Sequence, residues 1–429
     1  MKMRVIDPEL IKKVINPERI AQRIEEFSAI GRDPEGGITR PGLSQEEMAA
    51  KQKAISLMED LDLQVRTDRF GNVIGRRTGQ NPLAPPIMTG SHLDTVQNGG
   101  KFDGAVGVLA ALEAIHAFNG LEISTLHPVE VIVFTSEEPN RFGISAFGSK
   151  GLSGRLNFGE LSQLKDEMGT SLPSALISAG IDWDSLQRDY QPPKLHAFIE
   201  LHVEQGERLY KKEIPIGVVL GVTGIHRRQV FIHGEANHSG TTVMASRKDG
   251  LMAASETILV AEQCALLEGD EDATATVGRI LVKPNQVNII PGEVTLSIEF
   301  RSFLSEVLEK MEVRFEKALK ELQERRKIEI ISQTTLLQSP IRFSEKVVRS
   351  IGQAAGDLGL PALELFSMAG HDANHIASIT DAGMIFVPSW GGFSHCKEEW
   401  TDPRDIAMGS MVLLDSILRM DGENLWKQN

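Results

Sequence analysis

Cysteine is nearly absent from this chain. Cys264 and Cys396 are the only two, too few for a disulfide framework and without the CxxC spacing of a structural zinc site, so any metal must be held by His, Asp and Glu. Basic charge is also short, with 45 Lys and Arg against 59 Asp and Glu for a formal charge of −14. Like charges repel within a Debye length, which disfavours nucleic acid and anionic membranes as partners and leaves a small molecule as the expected substrate. The opening stretch MKMRVIDPELIKKVINPERIAQRIEEF lacks a continuous apolar run. Neither a signal peptide nor a membrane span is expected there, and a cytoplasmic protein is. No internal repeat or low-complexity tract interrupts the sequence.

The 429 residues, 41% apolar and 24% charged, describe a globular protein too long for one core, so two domains are expected. In the first part, apolar runs of buried-strand type at 86–90, 129–135 and 194–203 alternate with helical patterns at 48–62 and 104–119. Strands alternating with helices predict an α/β fold, a mostly parallel sheet flanked by helices. From about 218 the order becomes strand, helix, two strands, helix, strand, which predicts an inserted ferredoxin-like α+β unit. A helix, the strand at 384–389 and a final helix then resume the first pattern. The expected division is 1–217 and 335–429 for one domain and 218–334 for the insertion.

Chemistry gathers after the strands. SHLDT follows the first, SEEPN the second and EQG the third, and open α/β sheets place their ligand sites at the carboxyl ends of strands. His92 and Asp94 stand two apart, so the acid can orient the imidazole of a metal ligand, or the pair can be a solvated turn. Asp103 precedes a helix, where an N-cap belongs; the glycines at 99, 100 and 104 argue for close backbone approach beyond what a cap requires. Of the adjacent Glu137 and Glu138, one can bind metal while the other acts as a general base. His202 ends another strand, although a hydrogen-bonded core histidine is its plain alternative, and His395 follows a further strand and a glycine pair. Together His92, Asp103, Glu138, His202 and His395 form a ligand set suited to zinc or manganese, with Asp103 able to bridge two ions. With Glu137 moving a proton to a leaving nitrogen, the chemistry expected is amide-bond hydrolysis. A Rossmann-type reading fails, because GGKFDGAVG lacks the G-x-G-x-x-G spacing.

The motifs GSHLDTVQNGGKFDGAVGV, FTSEEPNRFG, ELHVEQG, ANHSGTT, NIIPG and FSHCKEE together resemble the dinuclear metal amidohydrolase and peptidase family. The likeness is to its branch of N-carbamoyl-L-amino-acid hydrolases, allantoate amidohydrolases and β-alanine synthases, and it spans the chain from about Ile20 to the last helix. The resemblance implies a zinc-peptidase-like catalytic domain with the insertion as lid and dimerisation surface of a homodimer. It implies two divalent ions, Zn, Mn, Co or Ni, one held by His92, Asp103 and His202 and the other by Asp103, Glu138 and His395. Glu137 is then the acid/base and Asp94 the support of His92. A histidine at His202 is typical of the carbamoyl branch, which implies a ureido or carbamoyl substrate bearing a carboxylate, cleaved to ammonia and carbon dioxide.

By the same likeness, His238 steadies the oxyanion in a neighbouring subunit, Asn288 and Arg301 bind the substrate carboxylate, and Gly370 contacts substrate through its backbone. Two departures stand out: Val243 replaces a proline after ANHSGTT, and the 222–234 segment is short, with no clear counterpart of a ureido-contacting glutamine. Gln229 is out of place for it, which leaves His226 or Arg227 to fill the space. An aminoacylase or dipeptidase of the same family is one alternative, and a non-catalytic binding protein on the same fold another.

Overall fold

The computed structural model describes residues 8–268 and 272–422; residues 1–7 of the opening stretch lie outside them. The chain forms two compact units. One comprises the chain up to Leu220, Phe343–Leu365 and the part from His371 onward; the other comprises Gly221–Arg342 with Phe366–Gly370. The second unit therefore extends past the expected 334, because its last long strand runs over Glu329–Gln338.

The first unit is built on a mixed sheet with the neighbour order Gln64–Thr67, Val73–Arg77, Val129–Phe134, Ile87–His92, Ala197–Val203, Ala382–Val387 and Ile216–Val222. Its centre is parallel: Val129–Phe134, Ile87–His92, Ala197–Val203 and Ala382–Val387 run in one direction, with antiparallel strands outside them. Every residue of these four strands is buried, which is why each reads as a continuous apolar run rather than an alternation. The helix expected at 104–119 is Ala105–Gly120 and is buried nearly all round, including Glu113. Helices Pro17–Ser28 and Pro403–Gly422 pack against it. A satellite cluster around Phe70, Phe147, Leu172 and Leu176 fills the loop-rich region after the second central strand.

The second unit is a four-stranded antiparallel sheet in the order Glu329–Gln338, Gly224–His233, Glu293–Ser302, Thr274–Lys283. Helices Gly250–Glu268 and Ser305–Arg326 complete the expected strand–helix–strand–strand–helix–strand order. Val230, Ile232, Leu296, Ile298 and Phe300 from the sheet meet Ala253, Ala261, Met311 and Phe315 from the helices in one core. Helix Gly250–Glu268 is long and apolar enough to cross a membrane. Its Ala253, Ala254, Thr257, Ala261 and Cys264, at helical spacing, are nonetheless buried in this core.

Candidate metal centre and active site

The four parallel strands deliver their chemistry to one edge. His92 ends its strand and pairs with Phe134, whereas His202 pairs with Phe386, so the residues after all four strands leave the sheet on the same side. Glu137 and Glu138 follow through a turn in which Ser136 takes φ 51°, and His395 is reached beyond Val387 at φ 57°.

Hydrogen bonds fix what each ring can offer. His92 Nδ1 lies 3.0 Å from the Asp94 carbonyl and His202 Nδ1 lies 2.9 Å from the Val203 carbonyl. A carbonyl only accepts, so Nδ1 carries the proton in both rings and Nε2 faces the site. There His202 Nε2 is 3.2 Å and His92 Nε2 3.7 Å from Asp103 Oδ1, a buried oxygen with no hydrogen-bond partner. Three electron-pair donors facing one another are stable only around positive charge. The other Asp103 oxygen, Oδ2, lies 3.3 Å from His395 Nε2, which is 3.0 Å from Glu138 Oε1.

His92, Asp103 and His202 thus form one cluster able to hold a metal ion and Asp103, Glu138 and His395 another; Glu200, His202 and His371 form a third that shares His202. Imidazole and carboxylate in this mixture suit a borderline divalent cation. The same acids hold protons firmly. Hydrogen bonds to Asp103 and Glu138 raise His395 to about 10, and although burial pushes His202 down, Asp103 carries it up to about 9. Metal and proton therefore compete for the same nitrogens. Burial pushes the Asp103 carboxyl up, yet the adjacent His202 and His395 imidazoles, wherever they carry a proton towards it, outweigh that and hold it well below the usual range. Glu137 goes the other way, well above its ordinary value, through burial and then through Asp372, Glu138, Asp94 and Asp103. It lies beside the first cluster, Oε2 3.8 Å from His92 Nε2.

The structure decides between the two readings of Asp103 and extends that of Asp94. The N-cap of helix Ala105–Gly120 is Gly104 at φ 66°, with no side-chain cap. Asp103 is therefore not the cap, and its carboxylate is turned to the two clusters. Asp94 does more than orient His92: its backbone oxygen takes the imidazole hydrogen bond, while its carboxylate accepts the Glu137 N–H at 3.0 Å and the Glu138 N–H at 2.9 Å.

The structure also brings in residues that sequence reasoning passed over. Gln205 donates Nε2–H to Asp103 Oδ2 at 2.7 Å and stands 3.5 Å from His395 Nε2. Glu200, two residues before His202, accepts from Ser91 Oγ at 2.6 Å and the Ala373 N–H at 2.9 Å; a carboxylate inside an apolar strand was the available signal. Glu399, the second acid of KEE, accepts the Phe102 and Asp103 N–H groups. Burial and the nearby Asp103 push its carboxyl up to about 8.

His238, Asn288, Arg301 and Gly370 belong to the second unit. His238 Nδ1 accepts from the Gly240 and Thr241 N–H groups at 3.0 and 3.3 Å, which makes its exposed Nε2 a hydrogen-bond donor. Asn288 is exposed, and its carbonyl accepts the Ser239 N–H at 3.0 Å. The Arg301 guanidinium bonds Glu299 Oε1 at 2.6 Å and the Met368 carbonyl, and Gly370 is exposed. In the short 222–234 segment, Arg227 pairs with Glu299 and His226 faces Glu312 at 3.3 Å. Gln229 lines a small cavity with Arg279 and Thr295.

An α/β sheet that collects histidines and carboxylates at its carboxyl edge has the build of a hydrolase. Residues 88–419 match peptidase family M20/M25/M40, and the chain belongs to that family. Among its relatives is the N-carbamoyl-L-amino acid amidohydrolase of Geobacillus stearothermophilus, 37% identical over 412 residues, covering 95% of this chain and 99% of that protein. The allantoate amidohydrolase of Bacillus subtilis is 34% identical over 404 residues, covering 94% and 97% respectively. Among solved structures, an amidase of the hydantoinase/carbamoylase family from Burkholderia multivorans superposes with a TM-score of 0.88 at 32% identity, covering 94% of this chain and 98% of that one.

Proposed function

We propose that the enzyme hydrolyses the carbamoyl or ureido C–N bond of an N-carbamoyl-L-amino acid or an allantoate-type substrate, with two divalent ions, Zn, Mn, Co or Ni, in the paired clusters. The observation that carries this reading is Asp103, whose two oxygens each face a different histidine cluster, with Glu137 alongside. Divalent ions bound there supply Lewis-acid polarisation of the substrate carbonyl and make a water molecule more acidic. Glu137 takes a proton from water and delivers it to the leaving nitrogen; burial and the neighbouring acids raise its pKa and so strengthen it as a base. Asp94 holds the Glu137 backbone still while this happens. Water adds across the C–N bond, and ammonia, carbon dioxide and the amino acid leave.

In the second unit, the Nε2–H of His238 is a donor suited to the developing oxyanion. Arg301 and Asn288 are suited to a substrate carboxylate, which a planar guanidinium can meet with both arms, and the Gly370 backbone to a further substrate contact. The reading includes a homodimer, with this unit as lid and pairing surface and His238 serving the neighbouring copy. The exposed Met252, Leu259, Leu266 and Leu267 on helix Gly250–Glu268 favour such pairing.

The test is ammonia release by manganese- or zinc-loaded protein from a panel of N-carbamoyl-L-amino acids, allantoate and N-carbamoyl-β-alanine, with N-acetyl amino acids as contrast. Turnover of a ureido compound that a chelator abolishes is expected. Activity confined to the acyl compounds would make the chain an aminoacylase instead, and silence throughout would leave a binding protein.

A further inference from the structure

Glu399 lies four residues after His395 in the same loop. Its side chain is buried, 3% exposed, and one oxygen, Oε1, accepts both the Phe102 N–H and the Asp103 N–H at 2.9 Å. The turn it grips is shaped to receive it: a Cβ on Gly100 would lie 2.4 Å from Cβ, Cδ and Oε1 of Glu399. On the other flank Gly104, at φ +66°, leaves room for the His92 ring, which a Cβ there would meet at 2.3 Å. Ser394, from the same loop as Glu399, donates to Asp103 Oδ2 at 3.2 Å. The one carboxylate shared by both clusters is thus held from behind by the loop that carries the second cluster's histidine.

We propose that Glu399 is a positioning residue, a clamp that fixes the 99–104 turn to the 394–399 loop and so sets where Asp103 stands between the two metal clusters. The clamp works through backbone N–H groups, so it needs an acceptor oxygen at that place and no direct contact with metal or substrate. The proposal rests on the two-ion reading of the site.

The experiment is titration of metal-stripped, full-length protein with cobalt(II), followed by stoichiometry and by the visible d–d absorption, which reports ligand geometry independently of turnover. Wild-type protein is expected to bind two ions. Glu399→Ala is expected to bind the second ion at least about tenfold more weakly and to show an altered spectrum, the usual scale for losing a group that orients a ligand. Glu399→Gln keeps an oxygen for the two N–H groups and is expected to restore both affinity and spectrum. Gly100→Ala leaves the carboxylate chemically intact but pushes it away, and is expected to behave like Glu399→Ala. Should Glu399→Ala fail to fold, the contrast between Glu399→Gln and Gly100→Ala decides alone. Unchanged affinities and spectra in Glu399→Ala overturn the clamp, as does a Glu399→Gln protein damaged as badly as the alanine variant. A wild-type protein that binds fewer than two ions overturns the two-ion reading itself, and the clamp with it.

Discussion

Burial first, and then the crowding of Asp372, Glu138, Asp94 and Asp103, make Glu137 hold its proton more tightly than a free carboxyl would. It belongs to neither Asp103-centred cluster, so replacing it need not empty them. Glu137→Gln is expected to keep its metal content while turnover falls roughly 10²–10⁴-fold, the span of general acid–base catalysis; elemental analysis beside steady-state rates checks both halves, and near-normal turnover removes the assigned base. His375 makes a different case. Burial first, then Lys150 and Arg155, push its pKa down to about 3, whereas the unfolded chain takes up that proton near 6.5. A base with a lowered folded pKa costs stability as pH falls from about 6.5 towards 3, by up to about 1.4 kcal/mol per pH unit. His375→Gln should flatten the melting-temperature profile in that window, and parallel profiles for variant and wild type would assign the acid sensitivity elsewhere.

At the scale of elements, helix Ala105–Gly120 shows what a hydrophobic pattern can and cannot say. Apolar residues at three- and four-residue spacing predict a helix, but they do not tell that it is buried nearly all round with its acid, Glu113, inside. Glu113 is accommodated because it accepts the Asn16 N–H at 2.9 Å and Arg19 Nε–H at 2.8 Å, with Arg23 at 3.5 Å. It thereby fastens helix Pro17–Ser28 to the core. Breaking a buried pair from one side leaves the other charge stranded, so Glu113→Ala is expected to cost about 3 kcal/mol in denaturant unfolding; a loss below about 1 kcal/mol would mean the arginines find water instead.

The central strands were legible because burial on both faces writes itself as unbroken apolar sequence, and the clustered histidines and acids were legible because they sit where those runs stop. The edge strand Gln64–Thr67 and its neighbour Val73–Arg77 carry polar and basic residues and gave no such signal. Asp103 resembled a cap because the positive φ of Gly104 is a backbone property that Asp-Gly does not declare. Glu399 was illegible for a related reason: it acts on N–H groups, which every residue but proline carries.

Across the whole molecule, the sites gather buried acid and imidazole that gain from a bound cation. Chelator treatment is therefore expected to lower the melting temperature, and excess manganese or zinc to restore it, since an ion at a hundredfold excess over Kd contributes about 2.7 kcal/mol. A melting temperature indifferent to both would deny the clusters any metal.

The order of the chain adds a consequence for biosynthesis. Strand Ala197–Val203 lies between Ile87–His92 and Ala382–Val387, so the catalytic sheet lacks a central partner until the intervening residues have left the ribosome. The four long strands and two helices of the second unit arrive together in Gly221–Arg342 and can fold as a local module during that wait. His395 is the last of the five residues of the two Asp103-centred clusters to be synthesised. A nascent chain therefore carries no complete pair of clusters until His395 has been added.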